Sequence, residues 1–173
     1  MDTAAIIATW DRHTKAEFVD ADVEATMETM TDDPCVLHVA TSVGARGRDA
    51  VREFYQQYFI GHQASDMTLQ PMSRTVTPEC LVDEMTISFT HDAVIPWILP
   101  GVEPTGRRVT VPIVTVIGMR DGLVDTEHIY WDQATVLAQV GLLDGRGLPV
   151  IIEGQADALL PDAPTTGLNT LLG

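Results

Sequence analysis

Ile7, Trp10, Thr14 and Phe18 recur at spacings of three and four, which places them on one stripe of a first helix predicted from about Thr3 to Val19. His13 falls beside that stripe and reads as a surface residue. Asp20 and Asp22 can each cap a following turn, and Val23, Met27 and Met30 form a second short stripe that Pro34 is expected to end. From Cys35 to Thr41 the period changes to two, with Val36, His38 and Ala40 on one side, so a first strand is predicted there. "SVGARGR" reads as a glycine-punctuated loop, and Val51, Phe54, Tyr55, Tyr58 and Phe59 then mark a third helix.

Beyond the third helix the pattern is that of strands. Residues 67–78, 80–91, 107–119 and 123–131 are separated by "TPEC", the long "HDAVIPWILPGVEPTGR" and the tight "RDG", which predicts an antiparallel meander. In the second of these strands Leu81, Met85, Ile87 and Phe89 share one side with Asp83 and His91, and Asp83, at the strand's start, is expected to be solvated. A last helix is predicted over 133–140, with Asp132 as its cap and Gly141 as its left-handed end.

Helices followed by strands indicate an α+β fold, with N-terminal helices laid against one face of a curved antiparallel sheet to leave a conical cavity. Its 173 residues suit one domain, taken as residues 1–141, with an extension over 142–173 that is expected to pack on a dimer partner.

Charge narrows the partners. Ten Lys and Arg against 25 Asp and Glu give a formal charge of -15, which repels nucleic-acid phosphates and anionic membrane surfaces. No long apolar run suggests a membrane span, and "MDTAAIIATWDRHTKAEF" lacks the features of a secretory signal, so a cytoplasmic location is expected. The two cysteines, Cys35 and Cys80, lie far apart and read as buried reduced thiols. No metal-ligand spacing and no serine-nucleophile motif is present, and neither metal nor cofactor is expected.

The order of elements, "GRDAV" opening the third helix, "THD" ending a strand, "PTGRRV" opening the next and "DGLVDTEHIYWD" as the last hairpin and strand resemble the SnoaL-like polyketide cyclase branch of the nuclear transport factor two-like superfamily, over about residues 3–140. The resemblance implies a cystatin-like α+β barrel, a homodimer through the convex sheet face and no cofactor. On that face it would place Glu84, Thr86, Ser88, Thr90, His128 and Tyr130. It also implies a small hydrophobic ligand, handled by cyclase, isomerase, dehydratase or hydrolase chemistry, or bound without turnover by a binding or dimerisation module.

His38 sits where related isomerases place a carboxylate base, and an imidazole with a pKa of about 6.5 suits proton transfer near neutrality; the alternative is a core histidine satisfied by its neighbours. Strand parity puts Glu127, Ile129 and Trp131 toward the pocket and His128 and Tyr130 behind, although one bulge would exchange Glu127 for His128. Glu127 is a candidate acid or base, or the partner that fixes the His38 tautomer; as a rim carboxylate it would do neither. His91, a candidate catalytic donor or orienter, and Trp97 are expected near the cavity mouth, with the insert that holds Trp97 serving as lid, wall or dimer contact. Tyr58 and His62, one helical turn apart, are candidate pocket donors, and Met27, Met85 and Val111 complete an apolar lining. The acids of related enzymes fall on Ile129, Ile87 and Val111 here, so the resemblance implies a differently built set of catalytic groups.

Overall fold

The computed structural model describes residues 2–159 together with Asn169, Leu171 and Leu172. Its first helix, α1 (Thr3–Lys15), is capped by the Asp2 side chain and widens into a π turn over Ala16–Asp20, closed by the Asp22 amide on the Ala16 carbonyl. The buried stripe of α1 is Ile6, Trp10 and His13, one position off the expected Ile7, Trp10, Thr14 and Phe18. Helix α2 (Val23–Glu28) is capped by Asp22 and ends before strand β1 (Met30–His38). Pro34 therefore lies inside a strand rather than after a helix, at an irregularity between Met30 and Cys35 where the ladder has no bond for it to break.

"VGAR" forms a four-residue strand, β2 (Val43–Arg46), and not the predicted loop. It pairs back on β1 and leads into α3 (Arg48–Phe54), which widens into a second π turn over Tyr55–Phe59. The meander follows as β3 (Thr68–Val76), β4 (Cys80–Thr90), β5 (Arg108–Arg120) and β6 (Leu123–Trp131), then α4 (Gln133–Gln139) with the Asp132 carboxylate on its first amides. Gly141 closes α4 at φ 82°, a conformation that favours glycine.

The six strands form one sheet in the order β2-β1-β6-β5-β4-β3. All neighbours are antiparallel except β1 and β6, which run parallel because β1 precedes the meander and returns to its far end. The expected wholly antiparallel sheet is corrected in that one pairing. Irregularities between Pro71 and Ser73 on β3 and between Gly118 and Met119 on β5 bend the sheet. At Gly118 a β-carbon would come within 2.4 Å of Thr126 Oγ1, so the close approach of β5 to β6 there requires glycine.

Alternation decides the faces. Along β5 every second residue from Val109 to Met119 is buried, and Ile87, Phe89, Val111, Ile117 and Val124 meet the helices in one core on the concave side. The long insert between β4 and β5 folds inward, with Ile95, Trp97, Ile98 and Leu99 all buried. It is pinned by Thr41 Oγ1 donating to the Trp97 carbonyl (2.9 Å) and Gln133 Nε2 donating to the Ile98 carbonyl (3.0 Å), so it is a wall of the core.

Beyond α4 the described part of the extension packs on its own chain. Thr135 Oγ1 and Gln139 Nε2 donate to the carbonyls of Ile151 and Ile152, Gln155 Nε2 donates to Asp132, and Ala156 is buried. Residues 160–168, on which packing against a partner would also fall, lie outside the described residues. No helix among the described residues is long and apolar enough to cross a membrane.

Candidate active site

Strand register sets the floor of the cavity. Val36, Glu127, Ile117 and Leu81 stand side by side across β1, β6, β5 and β4, and the next inward row is His38, Ile129, Thr115 and Asp83. Both rows carry polar groups into a space of about 60 Å³ that is otherwise walled by apolar and aromatic side chains, among them Phe18, Phe59, Ile87, Trp97 and Ile113.

At one side of this space lies a buried polar cluster. His13 from α1, Glu17 one turn later, Tyr55 from the π turn after α3 and Glu127 from β6 converge, and all four are buried. His13 Nε2 is 2.9 Å from Glu127 Oε1 and 3.2 Å from Glu17 Oε1. Tyr55 Oη donates to Glu127 Oε1 at 2.9 Å and lies 3.3 Å from His13 Nε2. On the other side of the ring, Thr29 Oγ1 donates to the Thr26 carbonyl (2.6 Å), so it accepts from His13 Nδ1 at 2.5 Å. Nδ1 therefore carries a proton, and a hydrogen bond from Nε2 to a carboxylate requires a second one on the ring.

The electrostatics agree. Burial alone would favour the neutral ring, but the Glu127 and Glu17 carboxylates outweigh it and raise the pKa of His13 to about 10. Burial also raises the pKa of Glu17; His13 opposes this shift, and the Glu127 charge adds to it. Tyr55 is raised well above its ordinary value, first by burial and then by the two carboxylates, so it remains a phenol that donates. Outside the cluster, Trp10 stacks on His13 at 5.2 Å, and its indole N–H donates to Asp83 (2.8 Å), which Arg74 also holds through two hydrogen bonds of 2.6 and 2.7 Å.

His38 occupies a different setting. Phe54, Phe59, Trp97 and Trp131 surround it with ring centroids 5.1–6.0 Å away. Its Nδ1 lies 3.3 Å from the Val43 carbonyl, which fixes the Nδ1–H tautomer and leaves Nε2 as an acceptor. Burial lowers its pKa to about 4, against a smaller opposing effect of Glu127 and the Val43 carbonyl. The ring is therefore neutral near pH 7 and a much weaker base than its ordinary value suggests. Its tautomer is set by Val43 and not by Glu127.

Other expected positions divide. Glu127, Met85 and Trp97 line the cavity, and Trp131 stands behind Trp97 and His38, with its ring at 89° to that of Trp97. Tyr58 does not face the cavity. The π turn rotates it off the Val51, Phe54, Tyr55 stripe and leaves it 47% exposed, while Tyr55 takes the inward place. His62 lies in the turn after that segment and does not line the cavity. Met27 and Val111 are fully buried in the core away from the cavity surface. His91 is buried but apart from the cavity, its Nδ1 engaged with Thr105. Asp83 is buried in the hydrogen bonds described above, and His13 is central rather than superficial. His128 and Tyr130 turn to the outer face, where Tyr130 is exposed, while Thr86 on that face is buried.

His13, Glu17 and Tyr55 were not singled out by the sequence as site residues. The signal was present: Ile6, Trp10, His13 and Glu17 also recur at spacings of four, three and four. His13, Glu17 and Glu127 are, in addition, the one group among the described residues with the composition and proximity to hold a metal ion.

Comparison with known proteins places this geometry. The chain resembles a protein from Jannaschia sp. CCS1 described as a SnoaL-like polyketide cyclase, at 20% identity over 82% of this chain and 95% of the other, with a TM-score of 0.66. TsrD from Streptomyces laurentii matches at 19% identity over 83% and 99% of the two chains, with a TM-score of 0.62. AclR from Streptomyces galilaeus, described as a hydroxylase, matches at 18% identity over 83% and 89%, with a TM-score of 0.59. A search of curated protein sequences finds no match. At these identities the likeness establishes the fold, a curved sheet with N-terminal helices. The family model for the SnoaL-like domain matches residues 6–126, which covers well over half of the sequence, and the chain belongs to the SnoaL-like domain family.

Proposed function

We propose that the chain is an acid–base enzyme that works without a cofactor on a small neutral carbonyl compound. The observation that carries this reading is that Glu17 and Glu127 both line a largely apolar cavity while sharing one buried histidine. Two neighbouring carboxyl groups can act as acid and base in one reaction when one of them carries the proton.

In this reading the Glu127 carboxylate takes a proton from the carbon next to the substrate carbonyl. The electron pair of that C–H bond moves into the carbonyl to form an enolate, and the Glu17 carboxylic acid donates a proton or a hydrogen bond to its oxygen. Reversal at another carbon gives isomerisation; loss of a leaving group or ring closure gives the dehydratase and cyclase outcomes. Tyr55 and His13 position Glu127, and neutral His38 offers Nε2 as an acceptor.

Support for catalysis also comes from family membership, since structural neighbours include proteins described as a polyketide cyclase and as having a ketosteroid isomerase-like fold. The expected homodimer would use the outer sheet face around Tyr130. The test is deuterium incorporation next to the carbonyl of small neutral ketones and lactones in D₂O, followed by NMR. Glu127→Gln should slow it by about 10²-fold or more; an unchanged rate in that variant would remove the reading.

A further inference from the structure

Two polar atoms on residues that line the cavity have no partner among the described residues. The indole N–H of Trp97 and the hydroxyl of Thr115 are both buried and unpaired, and both residues line the cavity. Buried polar groups are rarely left so, and each is a point where a bound molecule gains a hydrogen bond.

Their positions constrain that molecule. Thr115 and His38 flank Ile129 in one row of the sheet, and Trp97 packs on His38 with centroids 5.1 Å apart, so the Ile129 position lies between Thr115 and the histidine that carries the Trp97 ring. An indole N–H only donates and needs an acceptor; a hydroxyl serves either way. Apolar Phe59, Ile87 and Ile113 surround the path between them. Glu17 and Glu127 line the cavity and no Lys or Arg does, while the His13 ring is already engaged by both acids, so an anionic ligand finds no cation to pair with. A space of about 60 Å³ corresponds to about two liquid waters, so the part seated here is a few heavy atoms.

We propose that the cavity selects a small neutral hydroxyketone, whose carbonyl oxygen accepts from Trp97 Nε1 and whose hydroxyl meets Thr115 Oγ1, which makes these two residues the determinants of ligand specificity. The inference deepens the reading above and rests on this cavity being the substrate site.

The test uses isosteric probes and the indole N–H signal of Trp97, assigned with Trp97→Phe, in NMR spectra of the ¹⁵N-labelled full chain. 3-Hydroxybutan-2-one should shift that signal saturably. Its methyl isostere 3-methylbutan-2-one should bind about tenfold more weakly, and its charged isostere lactate should not bind. Thr115→Val should remove the hydroxyl preference while leaving 3-methylbutan-2-one unaffected, and Trp97→Phe should weaken both ketones about tenfold. Equal binding of all three probes, tighter binding of lactate, an unmoved Trp97 signal, or a hydroxyl preference that survives Thr115→Val would each overturn the proposal. Selective binding without deuterium incorporation would leave this inference standing and remove the acid–base reading; incorporation without a Trp97 shift would do the reverse.

Discussion

His13 Nε2 and Glu127 Oε1 are 2.9 Å apart, and both side chains are buried. The contact ties the first helix to the last strand across the core. Removing one member of such a pair leaves the other buried without compensation, which costs more than the pair contributes. His13→Ala should destabilise the fold by about 3–5 kcal/mol in urea titration. A smaller loss than that of an ordinary surface substitution would show that the cluster is solvated.

Stability should also depend on pH through the same ring. Its pKa is raised from 6.5 to about 10 on folding, so the folded state holds this proton more tightly than the unfolded chain. The contribution is fully present below about pH 6.5 and is lost as the pH rises through 10. Melting temperatures measured from pH 6 to 10.5 should fall across that window, and His13→Gln should flatten the fall.

His38 has the opposite sign. Its pKa is lowered from 6.5 to about 4, so the unfolded chain binds the proton first and stability declines as the pH drops from 6.5 toward 4. His38→Phe should reduce that acid sensitivity. In an NMR titration the His38 ring should remain neutral at pH 5.5, where an exposed histidine is already mostly charged.

Tyr55 and Tyr58 should respond differently to substitution. Tyr55→Phe removes one of the donors to buried Glu127 and should cost about 1–3 kcal/mol, whereas Tyr58→Ala should stay within about 0.5 kcal/mol of the parent. Equal effects, read by chemical denaturation, would contradict the π-turn assignment.

Asp132 accepts from the amides of Ala134 and Thr135, and it also holds Gln155. Asp132→Ala should lower stability by about 1–2 kcal/mol, a cap's usual worth. Because the same carboxylate anchors the extension, proteolysis beyond residue 150 should accelerate in that variant.

The strands were legible because alternation over nine to thirteen residues leaves little freedom: a one-residue slip of β5 would turn its whole buried set to solvent. The same parity placed Glu127 inward and Tyr130 outward. The helices were less legible. Ile6 and Ile7 are adjacent, and choosing one over the other rotates the stripe enough to move His13 and Glu17 from core to surface. The π turn that exchanges Tyr58 for Tyr55 leaves no mark in hydrophobic spacing. The cluster itself joins residues up to 114 positions apart in the chain, His13 to Glu127, and such contacts come from tertiary packing rather than local pattern.

The parallel return of β1 to β6 leaves β2 and β3 as the two margins of the sheet. One margin is only four residues long, and the other carries Pro71 beside a bulge. Short, proline-bearing and kinked margins are poor templates for an incoming strand. The arrangement that builds the cavity thereby also guards the chain against edge-to-edge aggregation.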